Sequence, residues 1–86
     1  WSDPCENIED FDKSPRNSGV LFGYNVCKKF CYENDLTHIF RGHSVQPEGF
    51  KIYFNDMLTS LWSAAKYCFD NSCLGALCML EESGNR

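Results

Sequence analysis

Apolar residues recur at helical spacing through two stretches of this chain. In the first, Leu21, Tyr24, Cys27 and Cys31 fall at steps of three and four, with Asn25, Lys28 and Lys29 on other faces. This predicts a helix running from Ser18 to Asn34-Asp35. In the second, Phe54, Met57, Leu58, Leu61, Trp62, Ala65, Cys68 and Phe69 make a longer stripe, with Asn55, Asp56, Ser60 and Lys66 off it. This predicts a long helix that begins between Phe50 and Asn55 and ends near Phe69.

Shorter elements are expected around these two. Asp3-Pro4 with Glu6 three positions after Asp3 reads as an N-cap, a first-turn proline and a capping-box acid, so a short helix carrying Cys5 should follow. The polar run 11–19, broken by Pro15 and Gly19, reads as a loop. Asp35 caps a short turn over "LTHIF", which Gly42 stops, and "GHSVQPEGF" is a second loop. After the turn Asp70-Asn71-Ser72, a last helix is expected through "CLGALCMLEE", before "SGNR" frays. "KIYF" is the only strand candidate, and it leads straight into the stripe. The expected fold is all-α, a single domain over 1–86 of about four to five helices.

A chain of 86 residues buries little of its surface, so covalent or metal support is expected. Six cysteines in this length read first as three disulfides in an oxidising compartment. With Trp1 first and no basic-then-apolar leader, the chain reads as a mature secreted protein. The apolar run Cys73–Leu80 is far short of the ~20 residues a membrane span needs. A net charge of −4 with scattered cations argues against nucleic acid and better suits a cationic partner.

Cys27 and Cys31, four apart, share a helix face and read as anchor points for two other elements. A zinc set of Cys27, Cys31, His38 and His43 has too few residues between its pairs and strands four cysteines. No Cys-x-x-Cys redox pair occurs, and an even cysteine count argues against a catalytic thiol. His38 and His43, with Asp35 near His38, are acid-base candidates, but without a nucleophile to serve they read as surface histidines. Phosphate-loop, nucleophile-elbow and zinc-protease motifs are absent from the sequence, so no enzyme and no cofactor is expected.

The chain carries thirteen aromatics, of which Tyr24, Phe54, Trp62 and Phe69 lie on helical stripes and are assigned to the core. Trp1, Phe22, Tyr32, Phe40 and Phe50 are the candidates for an exposed binding patch, with the adjacent basic pair Lys28-Lys29.

The cysteine pattern, with three residues between Cys27 and Cys31 and thirty-six between Cys31 and Cys68, resembles the six-cysteine framework of insect odorant-binding proteins and their salivary relatives in blood-feeding flies. That resemblance implies an all-helical fold with Cys5–Cys31, Cys27–Cys73 and Cys68–Cys78 paired. The residues alone leave fifteen pairings open. By the same resemblance the chain is expected to bind and inhibit an extracellular host protein of complement or coagulation. The alternatives are a carrier of small apolar or amine ligands and a helical venom-type toxin.

Overall fold

A computed structural model of the protein describes residues 1–81. The observed order is β1 (Asp3–Pro4), β2 (Phe11–Lys13), β3 (Val20–Phe22), α1 (Tyr24–Glu33), β4 (Ile39–Arg41), β5 (Phe50–Tyr53) and β6 (Leu58–Leu61), then a 3-10 turn at Tyr67–Phe69. The strands form two three-stranded sheets, ordered β1-β3-β2 and β4-β6-β5. Each central strand has one parallel and one antiparallel neighbour: β3 pairs parallel with β1 and antiparallel with β2, and β6 does the same with β4 and β5. The fold is mixed α/β, which overturns the all-α expectation.

The second stripe fails as a helix because the chain reverses inside it. Phe54, Asn55 and Asp56 all take positive φ, 58°, 51° and 68°, and the Met57 N–H donates to the Phe54 carbonyl at 3.2 Å. Asn and Asp tolerate this left-handed backbone better than most residues do, and Asn55-Asp56 sits where a hairpin needs them. The Glu6 carboxylate accepts the Phe54 N–H at 2.7 Å and ties the turn to the N-terminal segment. On either side, "FKIY" and "LTSL" pair as antiparallel strands, Phe50 opposite Leu61 and Tyr53 opposite Leu58. Phe54 and Leu58 are buried as the stripe implies, but across a hairpin rather than along one helix.

The other expected helices are absent for similar reasons. Pro4 is a buried residue of β1, not a helix start, and "LTHIF" runs into β4. The segment 73–80 forms no regular element and is held by single backbone bonds: Leu74 N–H donates to the Pro47 carbonyl at 2.7 Å and Ala76 N–H to that of Trp62 at 2.9 Å. Gly75 permits this course, since a Cβ there would meet the Ser63 carbonyl at 2.5 Å. The expected fraying of "SGNR" lies outside the described residues.

The helix carrying Cys27 and Cys31 does form, with both buried on one face. It starts later than Ser18, because Val20–Phe22 is β3 and Gly23 is the N-cap. Gly23 donates to the Asp10 carbonyl at 2.7 Å, and any Cβ there would collide with the Ile8 carbonyl. At the other end Asp35 takes φ 56°, while Leu36 N–H reaches the Cys31 carbonyl at 2.8 Å and Asp35 N–H that of Tyr32 at 3.4 Å. This is a Schellman closure with aspartate in the place usually given to glycine.

The core comprises Cys27, Cys31, Tyr53, Phe54 and Leu58, with Phe22, Tyr24, Ile39 and Met57 packed against it. Phe69, assigned above to the core, is 99 % exposed, and Trp62 is half-buried. All six cysteines are free thiols, so the pairs Cys5–Cys31, Cys27–Cys73 and Cys68–Cys78 are absent. Cys27 and Cys31 sit together in the apolar core as small hydrophobes and staple nothing. Among the described residues no helix is long and apolar enough to cross a membrane.

Candidate active site

The strands β4 and β6 run parallel and end at Arg41 and Leu61. Loops that leave the carboxyl ends of parallel strands are where open α/β sheets place ligands. Here those loops, Gly42-His43 and Trp62-Ser63-Ala64, together with Leu61, line an open cavity of about 290 Å³. The His43 imidazole is exposed at its rim, on a backbone with φ 80°, and packs edge-on against the Trp1 indole at 4.4 Å between centroids. The Trp62 indole N–H is buried there without an acceptor among the described residues, and its ring packs against Tyr67 at 4.9 Å.

Beside His43 lies a charged cluster drawn from three parts of the chain. Asp3 Oδ2 accepts from Arg16 Nε at 2.6 Å, and Asp3 Oδ1 accepts from Arg41 Nη2 at 3.1 Å and from the Ser44 hydroxyl at 2.7 Å. Arg41 also donates to the Ser2 carbonyl at 3.0 Å and to the Ser44 and Ser60 hydroxyls at 2.9 and 3.4 Å. Burial pushes the Asp3 carboxyl up, but the hydrogen bonds from Arg16 and Ser44 and the charges of Arg16 and Arg41 together outweigh it. Its pKa is held below the ordinary 3.8.

Arg16 is presented by a tight turn. Buried Ser14 accepts the Arg16 N–H on its hydroxyl at 3.1 Å and the Asn17 N–H on its carbonyl at 3.2 Å, with Asn17 at φ 57°. Pro15 suits the second place of such a turn. Two guanidiniums share one carboxylate, so the cluster carries one uncompensated positive charge. Arg41 is enclosed, at 15 % exposure, whereas Arg16 is 40 % exposed and makes no described hydrogen bond through its two Nη groups. The free fork of Arg16 matches the geometry of a carboxylate or a phosphate.

The residues expected to contact a partner are dispersed. Trp1 adjoins the cavity through His43, while Phe40 and Phe50 line a separate groove of about 500 Å³ that also includes Ile52, Leu61, Leu77 and Met79. Phe22 packs on Phe54 at 6.3 Å between centroids. On α1, Lys28 lies over the Tyr24 ring at 5.9 Å, Lys29 pairs with Glu33 at 3.8 Å and Tyr32 is 88 % exposed. Of the two histidines, His38 is structural: its Nδ1 lies 2.6 Å from the Asp56 carbonyl and its Nε2 2.8 Å from the Thr59 hydroxyl. His43 is the one at the cavity. Burial and the adjacent Cys31 push the Cys27 thiol up to about 11, which leaves it unreactive.

Sequence reasoning missed Asp3, Arg16, Arg41 and Ser44. Asp3 is separated by 38 residues from Arg41 and by 41 from Ser44, a distance that no local spacing rule bridges. The one local signal is the turn at Ser14-Pro15-Arg16-Asn17, which composition alone marks as a loop.

The chain is 41 % identical over 85 residues to the serine/threonine-protein phosphatase 6 catalytic subunit of Caenorhabditis elegans, with 99 % of this chain and 25 % of that protein covered. It resembles one quarter of a phosphatase. The phosphatase 6 catalytic subunit of Drosophila melanogaster is also 41 % identical, over 86 residues and 28 % of its length. A solved serine/threonine phosphatase from Saccharomyces cerevisiae superposes with a TM-score of 0.78 at 31 % identity, over 87 % of this chain and 23 % of that one. No family model matches the chain.

These likenesses overturn the odorant-binding resemblance and what followed from it: the salivary inhibitor, the ligand-carrier and toxin alternatives, and the host extracellular partner. They also correct the expectation that the chain has no enzymatic role, since the proteins it resembles are named phosphatases. The secreted assignment rested on disulfides, and the thiols are free. Cysteine spacing misled because parity and density say how many bonds could form, whereas here the side chains fill core space and loop positions.

Proposed function

We propose that this chain supplies the phosphate-receiving part of a serine/threonine phosphatase and acts in hydrolysis of phosphomonoesters on protein serine or threonine. The observation that carries this reading is Arg16, held through Nε by Asp3 with its Nη fork open, in a chain that aligns along its length with such enzymes. A phosphomonoester is a dianion at neutral pH, and phosphoryl transfer is catalysed mainly by positioning and by charge placed where the equatorial oxygens gain it. Arg16 supplies two parallel donors and the net charge of the cluster. His43, steadied by Trp1, puts an imidazole at the neighbouring cavity, where it can carry a proton or bind a metal ion. Among the described residues no three His, Cys, Asp or Glu side chains are grouped to hold such an ion. The chain spans about a quarter of its relatives, so the groups that complete the reaction belong to the rest of such an enzyme.

The test is binding of a phosphoserine peptide against its unphosphorylated twin, measured by calorimetry on the wild type and on R16A. A charge-assisted hydrogen bond contributes about 1.5–3 kcal/mol, so R16A should bind the phosphopeptide roughly 10- to 100-fold more weakly. Equal affinity of wild type and R16A, or of the two peptides for the wild type, refutes the reading.

A further inference from the structure

We propose that Ser44 is a positioning residue for phosphate recognition, acting through Asp3 on Arg16; this rests on the reading of Arg16 as the phosphate receptor. The Ser44 hydroxyl lies between Arg41 Nη1 at 2.9 Å and Asp3 Oδ1 at 2.7 Å. A guanidinium cannot accept, so Ser44 must accept from Arg41 and spend its single proton on Asp3. Oδ1 is then filled by two donors, the Ser44 hydroxyl and Arg41 Nη2. Both sit on the segment just after β4 or at its end, and Arg41 is further fixed by the Ser2 carbonyl and the Ser60 hydroxyl. The carboxylate therefore cannot turn about its own axis, and Oδ2 stays aimed at Arg16 Nε. With Nε held, the plane of the Arg16 guanidinium is set, and so is the direction of its open fork.

Ser44 also follows His43 directly in the chain. The loop that carries the imidazole to the cavity thus carries the lock on the anion receptor, and the two parts of the site move as one. Removing the hydroxyl leaves the Arg41–Asp3 ion pair at 3.1 Å to hold the strands together, but Oδ1 then has one donor where it had two, and the carboxylate is held less firmly. The effect falls on ligand affinity more than on folding.

The experiment titrates inorganic phosphate into the 86-residue chain, followed by ³¹P NMR, for the wild type, S44A, S44T and R16A. The thermal midpoint of each, and the Arg16 Nε–H resonance of the three that keep Arg16, are recorded alongside. The expected result is a loss of affinity of about 3- to 10-fold in S44A, smaller than in R16A because the hydroxyl touches the anion only through the orientation of Arg16. S44T, which keeps the hydroxyl, should recover it. The Arg16 Nε–H signal should be sharp in the wild type and S44T and broadened in S44A, a change that general destabilisation of a still-folded chain would not confine to this one group.

S44A that binds like the wild type, or S44T as weak as S44A, overturns the inference and leaves Arg16 as receptor. R16A that binds like the wild type, or a wild type that does not bind, removes the receptor itself. Should S44A unfold, the inference stands or falls on S44T and on the wild-type Arg16 Nε–H, which must exchange with solvent more slowly than that of free arginine.

Discussion

Replacing Asp3 with asparagine should separate the structural from the electrostatic worth of the charged cluster. The carboxylate accepts three hydrogen bonds, from Arg16, Arg41 and Ser44. Asparagine keeps one acceptor oxygen and turns a donor toward a guanidinium, with little change in volume. The Arg16 pair is partly screened by solvent and contributes less than about 1 kcal/mol. The enclosed bonds from Arg41 and Ser44 are worth more, so the total loss at neutral pH is about 2–3 kcal/mol. At a urea slope of about 1 kcal/mol/M for a chain this small, the unfolding midpoint falls by about 2–3 M or the folded baseline is lost.

The pH dependence gives the sign independently. Asp3 has a folded pKa below its ordinary 3.8, so its contribution is fully present above the unfolded value and fades as pH falls through the folded one. Wild type should therefore lose stability below about pH 4 more steeply than D3N, and the two curves should converge in acid. The assay is urea unfolding followed by Trp fluorescence at a series of pH values from 7 downwards. A neutral-pH midpoint for D3N equal to the wild type's, or parallel acid limbs, would show that Asp3 does not organise the cluster.

Three further outcomes are expected. Leu58 is fully buried at the centre of the core, so L58A should cost about 2–5 kcal/mol and abolish the cooperative thermal transition; a midpoint within a degree or two of wild type would contradict the core described. Exposed Cys68 should react with a thiol reagent at mild alkaline pH well before Cys27, whose reactivity should rise only as pH approaches about 11, and peptide mapping of the alkylated chain reads the order. In a longer phosphatase chain containing these residues, R16A should depress turnover of a phosphoserine peptide by about 10-fold or more, read as initial rates of phosphate release; unchanged rates would count against Arg16.

How far the sequence revealed this protein depends on how local each signal was. The α1 helix was legible because its stripe is continuous and Asn34-Asp35 closes it, whereas "KIYF", the one strand candidate, was absorbed into the expected long helix although β5 occupies Phe50–Tyr53. The long stripe deceived because a four-residue hairpin turn places Phe54 and Leu58 at the separation that one helical turn also gives. Period alone cannot tell the two apart, although Asn55-Asp56 at its centre was a turn signal. His43 was visible as a candidate, but its neighbours were not, since Asp3, Arg16 and Ser44 meet only once both sheets exist. The cysteines invited a covalent reading that the free thiols refute, because a thiol in a core looks the same in sequence as half a disulfide.

The placement of β4 bears on how the molecule comes into being. The β5–β6 hairpin closes over a short turn and can form within microseconds, whereas β4 must wait for an edge of β6 to dock against, at a larger loop-closure cost. Arg41 ends β4, and His43 and Ser44 lie just beyond it. The Arg41 and Ser44 bonds that fix Asp3 against Arg16 should therefore form late, and a substitution that slows docking of β4 should delay ligand competence while leaving the hairpin's own formation rate unchanged.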